Sequence, residues 1–348
     1  MIDWIKAELP FNWTVPIVGG HLIRISPVGV VERQTPMSAH VRGSYDEHLT
    51  LRTVARGVLE VDGNPSKFLQ GHNIVGSDDL CGLMDAAVCK ALAILGHAPA
   101  DYDRAQWLAG EWNISRIDLT QMYELDTVSD VRAWLRSAGE LARMRWRGRG
   151  TFEGTTLYFG KVAKGKRAAD WTLKCYCKAD EVQARGKSHQ LPDRLPLRDA
   201  LMAWVENKLR VELLMRTGEL KRFEGGQYRR ASAWNIETAS VIFGQYFAKM
   251  ELGENVMLPV EIEESLKPAM RLAYNSWKAG NDLRGLLPRR TFYHYRRNIL
   301  ALTEGLIDIA VPQPKTNVIP LRRILTLRPA SDPTFLADRS DLLFRRAA

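Results

Sequence analysis

The sequence predicts an α+β protein, a largely antiparallel sheet with packed helices, joined to a mainly helical C-terminal region. Three observations carry this. Apolar and polar residues alternate with period two in several short stretches before residue 216. The helical stretches between them do not alternate steadily with strands, as a parallel βαβ sheet requires. After F-E-G-G-Q-Y-R-R (223–230) the spacing becomes mostly helical, and its Gly-Gly pair divides the chain into 1–225 and 226–348.

The elements follow in order. H-L-I-R-I-S-P-V-G-V-V (21–31) and H-L-T-L-R-T-V-A (48–55) alternate as strands, and V-D-G-N-P closes that set. Residues 78–96 have helical spacing, with Ser77 or Asp78 as cap and Gly96 as stop. A strand is expected over 112–120 and a helix near 128–143. T-T-L-Y-F-G (155–160) and W-T-L-K-C-Y-C-K (171–178) read as a hairpin. A helix near 197–205 leads into the strand N-K-L-R-V-E-L-L-M (207–215). The last twenty or so residues, from R-P-A-S-D-P, read as a loosely ordered tail.

With 348 residues, 45% hydrophobic and 26% charged, the composition is that of a folded soluble protein. No apolar run approaches the roughly 20 residues of a membrane span. The N-terminus lacks the basic start and apolar core of a signal peptide. A cytoplasmic location and no membrane partner are therefore expected. Four cysteines do not make a disulfide framework. Cys81 and Cys89 lie in an apolar helical stretch, and the C-x-C of Cys175 and Cys177 has no companion histidine pair, so a zinc site is not expected. The net charge of +9 favours a polyanion partner.

Gly160-K-V-A-K-Gly165-Lys166 imitates a phosphate-binding loop. Arg167 stands where that loop needs Ser or Thr, and the segment joins two strands rather than a strand and a helix. A basic hairpin turn, available to DNA phosphate, is expected instead.

Residues i, i+2 and i+4 of a strand share a face. Ile114, Arg116 and Asp118 share one face, Lys208, Arg210 and Glu212 a second, and Lys174, Tyr176 and Lys178 a third. If these strands share a sheet, their apolar sides meet helices and Asp118, Glu212, Tyr176 and Lys178 converge. Two carboxylates suit a hard divalent cation such as Mg2+ or Mn2+. A tyrosine beside positive charge can attack a phosphodiester, conserving its bond energy as a phosphotyrosine without ATP. The competing reading is a solvated charged face of a half-exposed sheet.

At these same residues the chain resembles the replication initiators of filamentous phages, relatives of rolling-circle plasmid initiators. S-K-F-L-Q-G-H-N-I-V-G-S-D-D-L (66–80) resembles the family's Q-G-H-N segment, and S-R-I-D-L (115–119) its R-x-D-L strand. L-Y-F-G-K followed by L-K-C-Y-C-K-A-D-E resembles its Y-x-G and Y-x-K-x-x-E elements. L-R-V-E-L (209–213) resembles its R-x-E strand, and P-R-R-T-F-Y-H-Y-R-R-N-I-L-A-L-T-E-G-L-I-D-I (288–309) its C-terminal region. The resemblance implies a metal-dependent endonuclease and strand-transferase. Such an enzyme nicks one strand at the double-strand origin, stays on the 5′ end and rejoins the displaced strand. It implies Tyr176 as nucleophile, Lys178 as stabiliser of phosphoryl charge, and Asp118, Glu212 and His72 as ligands of Mg2+ or Mn2+. The paired-histidine signature of many rolling-circle nucleases is absent, since G-H-N supplies one histidine. Implied partners are origin duplex, displaced single strand, and a host helicase and polymerase. A non-catalytic origin-binding regulator, or a mobilisation relaxase or transposase-like strand-transferase, are the alternatives.

Further DNA contacts are expected outside the catalytic face. R-M-R-W-R-G-R-G (143–150) places Trp146 among arginines that include Arg145 and Arg147, suited to stacking and phosphate contact or to protecting an edge strand. Arg116 and Arg210 could reach phosphate or pair with neighbouring carboxylates. Residues 265–311 read as helix, short element, basic helix and a strand D-I-A-V. That order suits a helix-turn-helix or winged module with Arg289, Arg290, Arg296 and Arg297 outward, or a basic helix packed on the first domain.

Overall fold

The computed structural model describes residues 1–13, 16–45, 47–144, 147–160, 169–184, 190–252, 260–303, 305, 307–310 and 328–345. Its strands are β1 (Ile2–Pro10), β2 (His21–Ile25), β3 (Val31–Pro36), β4 (Ala39–Arg42), β5 (His48–Ala55), β6 (Val58–Gly63), β7 (Asn113–Glu124), β8 (Ala142–Met144), β9 (Gly148–Arg149), β10 (Thr151–Glu153), β11 (Thr156–Phe159), β12 (Trp171–Cys177), β13 (Lys208–Arg216), β14 (Met250–Leu252) and β15 (Arg328–Pro329). The helices of the first part are α1 (Pro65–Gln70), α2 (Leu80–Ile94), α3 (Asp101–Leu108), α4 (Val128–Leu141), α5 (Lys178–Gln183), α6 (Arg198–Trp204) and α7 (Thr217–Arg222). Those of the second are α8 (Thr238–Phe247), α9 (Val260–Ser265), α10 (Pro268–Lys278), α11 (Leu283–Leu286) and α12 (Arg289–Leu302).

The fold is α+β, as the patterning predicts. One large sheet runs β10-β11-β12-β13-β7-β1-β6-β5-β4, with antiparallel pairing throughout, and β15 pairs with the end of β7. The hairpin expected from 155–178 forms as β11 and β12, with Tyr158 opposite Lys174. Its P-loop-like connection lies outside the described residues. Leu173, Cys175 and Cys177 of β12, Leu209, Val211 and Leu213 of β13, and Ile5, Ala7 and Leu9 of β1 form one apolar face. Helices α2 and α4 cover that face with Leu83, Met84, Val88, Val131 and Trp134. The cysteines of the C-x-C motif are thus core residues, excluded from water on the side away from Tyr176.

One face assignment changes. The pairing of β1 with β7 slips between Lys6–Arg116 and Ala7–Ile114, which leaves Ser115 as a bulge residue. A bulge inserts one residue and reverses the alternation beyond it. Ile114 therefore joins the apolar core rather than the face of Arg116 and Asp118.

The Gly-Gly pair forms a turn. Glu224, Gly225 and Gly226 all have positive φ, at 45°, 69° and 84°, and Gly225 and Gly226 are the residue type that enters this region without strain. Beyond it, α10, α11 and α12 enclose a separate core of Met270, Tyr274, Trp277, Leu283, Phe292 and Ile299. The expected D-I-A-V strand is absent over the described part, because Asp308–Ala310 turn back and Asp308 caps Ala310 N–H at 2.9 Å. The parts on either side of the turn are not separate: Ala239, Ile242, Phe243 and Tyr246 of α8 belong to the core of the large sheet, β14 pairs with β8, and buried Arg143 lies over the Trp277 ring at 5.3 Å.

The end of the chain is not a loose tail. Residues 328–344 return to the large sheet, where Ala330 N–H donates to Met122 at 2.9 Å. Leu336, Leu342 and Leu343 are buried among Ile74, Val75, Val182 and Leu201. Spaced leucines, rather than an extended apolar run, anchor this segment, so composition alone does not reveal it.

Candidate active site

Strands β12, β13 and β7 sit side by side, and their registers bring the polar residues onto one face. Tyr176 lies opposite Arg210, Lys174 opposite Glu212, and Asp118 opposite Leu214. Glu212 is the centre. Its carboxylate accepts the Tyr176 hydroxyl hydrogen bond, pairs with Lys174 Nζ, and accepts from Arg210 Nε at 3.0 Å. Arg210 extends the network to Asp3 at 3.0 Å and to the Asn73 carbonyl. Asp3 sits at a bulge on β1 itself, between Ile2 and Trp4, with its carboxylate on Arg210.

Burial raises the Tyr176 hydroxyl well above the usual phenol value, and the charge of Glu212 adds to it. The resting tyrosine is a neutral donor. Burial also acts to raise Glu212, but Lys174 and Arg210 outweigh it and hold the carboxylate at about 2. Glu212 is thus an ionised acceptor for the Tyr176 hydroxyl. Lys178 starts α5 instead of continuing β12. Its buried ammonium is committed to Glu181 and to Asn73 Oδ1 at 3.0 Å, and burial lowers its pKa.

The Q-G-H-N segment works as scaffold. Gln70 Nε2 donates to the carbonyls of His72 at 3.1 Å and Val75 at 2.6 Å, closing the loop after α1. Its Oε1 accepts Phe344 N–H at 3.0 Å, tying the returning C-terminal segment to the same loop. Asn73 joins Lys178 to Asp3, and Nδ1 of His72 accepts Ile74 N–H at 3.3 Å. Gly71 caps α1 at φ 82°, and a Cβ there would stand 2.5 Å from the Tyr45 ring. Gly71→Ala is expected to lose about 2 kcal/mol or more, from positive φ and overpacking together. Urea denaturation against the parent protein measures it.

The three side chains expected to ligate Mg2+ or Mn2+ do not form one metal-binding group, although Asp118 and Glu212 share the face of Lys174. Asp118 is held by Arg116 through two bonds, at 2.9 and 2.6 Å. Glu212 is held by Lys174 and Arg210. His72 is fully buried at the loop after α1, and desolvation drops its pKa to about 4. Among the described residues no group of three or more His, Cys, Asp or Glu side chains is placed to hold a metal. The donor set therefore does not fit a divalent cation in this arrangement, because each carboxylate already has protein cations as counter-charge.

A cavity of about 310 Å³ opens beside the tyrosine. Tyr176, Tyr158, Lys174, Glu181, Thr156 and Glu153 line it. Burial acts to raise Glu181, yet Lys178 and Arg210 outweigh this and keep it ionised. Two tyrosines and a lysine thus share one opening. Lys174 is visible in the alternation of β12; Asp3 and Asn73 carry no periodicity signal, since a bulge and a loop place them.

The family model for the N-terminal region of the phage replication-associated protein matches residues 1–239. The replication-associated protein of Enterobacteria phage I2-2 is 37% identical over 343 residues, 96% of each chain. The chain belongs to this phage replication-associated protein family. The matched region contains the whole site just described, from Asp3 to Glu212.

The remaining basic residues of this family member divide by environment. Arg210 is wholly buried, an internal counter-ion rather than a phosphate contact, while partly exposed Arg116 pairs with Asp118. Arg147 packs over Trp171 at 4.6 Å, and Arg145 and Trp146 lie outside the described residues. Arg296 makes two bonds to Asp308, at 2.7 and 2.6 Å. Arg289, Arg290 and Arg297 are exposed along α12, beside exposed Tyr293. No helix of the described residues is long and apolar enough to cross a membrane.

Proposed function

We propose that this phage replication initiator nicks one strand of its double-strand origin by attack of Tyr176, and later rejoins the displaced strand. The observation that carries this is the buried Tyr176–Glu212 hydrogen bond behind the cavity that Tyr176 lines, within a chain of the phage replication-associated family. Glu212 orients the phenol through its hydrogen bond; as the Tyr176 oxygen bonds to phosphorus the P–O3′ bond breaks, and the phenolic proton passes through solvent to O3′ to leave a 3′ hydroxyl. Lys174, at the cavity wall, offers positive charge to the phosphoryl oxygens. Rejoining is the reverse attack: a 3′ hydroxyl displaces the phosphotyrosine and Tyr176 recovers its proton. No nucleotide hydrolysis is required. Exposed Arg289, Arg290 and Arg297 of α12 supply duplex phosphate contacts, on the helix-turn-helix reading of α10–α12.

The test is incubation of purified protein with supercoiled DNA carrying the phage origin. The expected product is an open circle with protein on the 5′ end. Binding without cleavage, at every divalent cation condition tried, rejects the enzyme and leaves an origin-binding regulator. Mapping the nick away from the origin rejects the initiator and leaves a mobilisation-type strand-transferase. The host helicase and polymerase expected from the resemblance would then be sought on the nicked complex.

Lys174→Met removes the ammonium from both Glu212 and the cavity. We expect nicking to fall about 10²-fold, the scale for losing one electrostatic stabiliser. Single-turnover cleavage rates measure this, with circular dichroism to confirm the fold.

A further inference from the structure

Strands β2 and β3 form a two-stranded ribbon of their own, outside the large sheet. Both strands are exposed over almost their full length. A lone ribbon of this length is marginal in water, so its persistence with apolar side chains outward needs a reason. The apolar residues gather towards the tip, where Val28 is 83% exposed and Ile25 and Val30 about as open as Leu22. Ser26 closes the turn, accepting Val30 N–H through its hydroxyl at 3.1 Å, and Gly29 takes φ 82°. The tip is therefore a shaped turn.

The flanks carry the decisive feature. Arg24 and Arg33 are direct cross-strand partners. Like charges opposite one another destabilise a strand pair. Among the described residues only Arg24 of the two has a counter-charge, Glu32 at 3.0 Å on a largely exposed surface, where such a pair contributes little. Two opposed guanidinium groups on an unsupported ribbon are complementary to closely spaced anions. Duplex DNA presents such a row, and a two-stranded ribbon is of the width its major groove admits.

We propose that the β2–β3 arm is a DNA-gripping ribbon, with Arg24 and Arg33 on backbone phosphates and Val28 and Val30 pressed against bases. The proposal rests on the DNA-nicking reading above. Its base is fixed to the sheet, since Thr53 N–H of β5 donates to Ile17 at 3.1 Å. Five strand spacings separate β5 from β12, about 24 Å along the sheet, or about seven base pairs of duplex. The arm thus touches DNA to one side of the scissile phosphate, and lengthens the footprint without entering the site.

Equilibrium binding of a 40-base-pair mixed-sequence duplex to the full-length Tyr176→Phe protein, across a sodium chloride series, tests this. Arg24→Gln/Arg33→Gln in that background should lower the magnitude of the log K against log salt slope by about 2, one for each phosphate released. Val28→Ser/Val30→Ser should weaken binding roughly tenfold with the slope unchanged, as loss of apolar contact requires. Unchanged slope and affinity in both folded variants overturns the proposal, as does a parent protein without duplex affinity. Loss of self-association by light scattering, with DNA binding intact, overturns it in favour of a second copy of this chain. Adduct formation by the unmodified protein tests the nicking reading separately, so either can fail alone.

Discussion

Tyr176→Phe protein is expected to bind origin DNA with parental affinity and to form no covalent adduct. Only one oxygen is removed, and it is the atom proposed to bond to phosphorus, so nicking should drop by roughly 10³-fold or more. The fold should survive. Loss of a hydrogen bond to a charged acceptor costs about 1–3 kcal/mol, and Glu212 keeps both Lys174 and Arg210. Tyr158→Phe is the necessary companion, because Tyr158 lines the same cavity. Full adduct yield from Tyr158→Phe together with none from Tyr176→Phe assigns the nucleophile; the opposite pattern transfers it to Tyr158. Denaturing gels that resolve protein–DNA adducts read both variants in one experiment.

Arg210→Leu is expected to be the most destabilising single change at the site. Arg210 is wholly buried between Asp3 and Glu212, and it also donates to the Asn73 carbonyl. Removing one partner of a buried ion network strands the other charges, at about 3–5 kcal/mol. Urea unfolding at pH 7 should show that loss, and a change under about 1 kcal/mol would refute the counter-ion role. The acid limb follows from signs. Glu212 has a folded pKa of about 2, below its unfolded value of roughly 4.3. It therefore contributes stability that is complete above the unfolded value and is lost as pH falls through the folded one. Glu212→Gln should flatten the stability profile in that window. Asp118 works the other way. Burial holds its folded pKa above the usual carboxylate value, so its charged form opposes folding near neutrality and protonation relieves this. Asp118→Asn should therefore cost less at pH 7 than Glu212→Gln.

Much of the site is legible from alternation. Period two in W-T-L-K-C-Y-C-K separates Cys175 and Cys177 from Lys174 and Tyr176, and the strand of 208–216 separates Val211 from Arg210 and Glu212 in the same way. Strand pairing keeps those faces, because a one-residue slip would bury every charge in the core. Alternation misplaces Lys178 for a local reason: the chain leaves β12 for α5 at that residue, and the strand period stops there. The bulge at Ser115 misplaces Ile114. Arg116 and Arg210 fit either phosphate contact or ion pairing by sequence, and burial of Arg210 with Asp3 and Glu212 decides for pairing. The returning segment 328–344 escapes a sequence reading because its few leucines bury against residues more than a hundred positions away.

The sequence by itself determined the central strands 113–119, 171–177 and 208–215 with most of their polar and apolar faces, the family, and the tyrosine to test, because each depends on local period or on short motifs; it read 21–31 as one strand, where a turn at 27–29 separates two. Tertiary structure alone decided which charges meet. It set Asp3, Asn73 and Arg210 around Glu212, gave Asp118 to Arg116, and moved His72 into the scaffold. Register, bulges and burial fix the distant encounters of Asp3, Asn73 and Lys174, whereas Arg116–Asp118 and Arg210–Glu212 lie two residues apart on one strand face and needed the structure only to choose pairing.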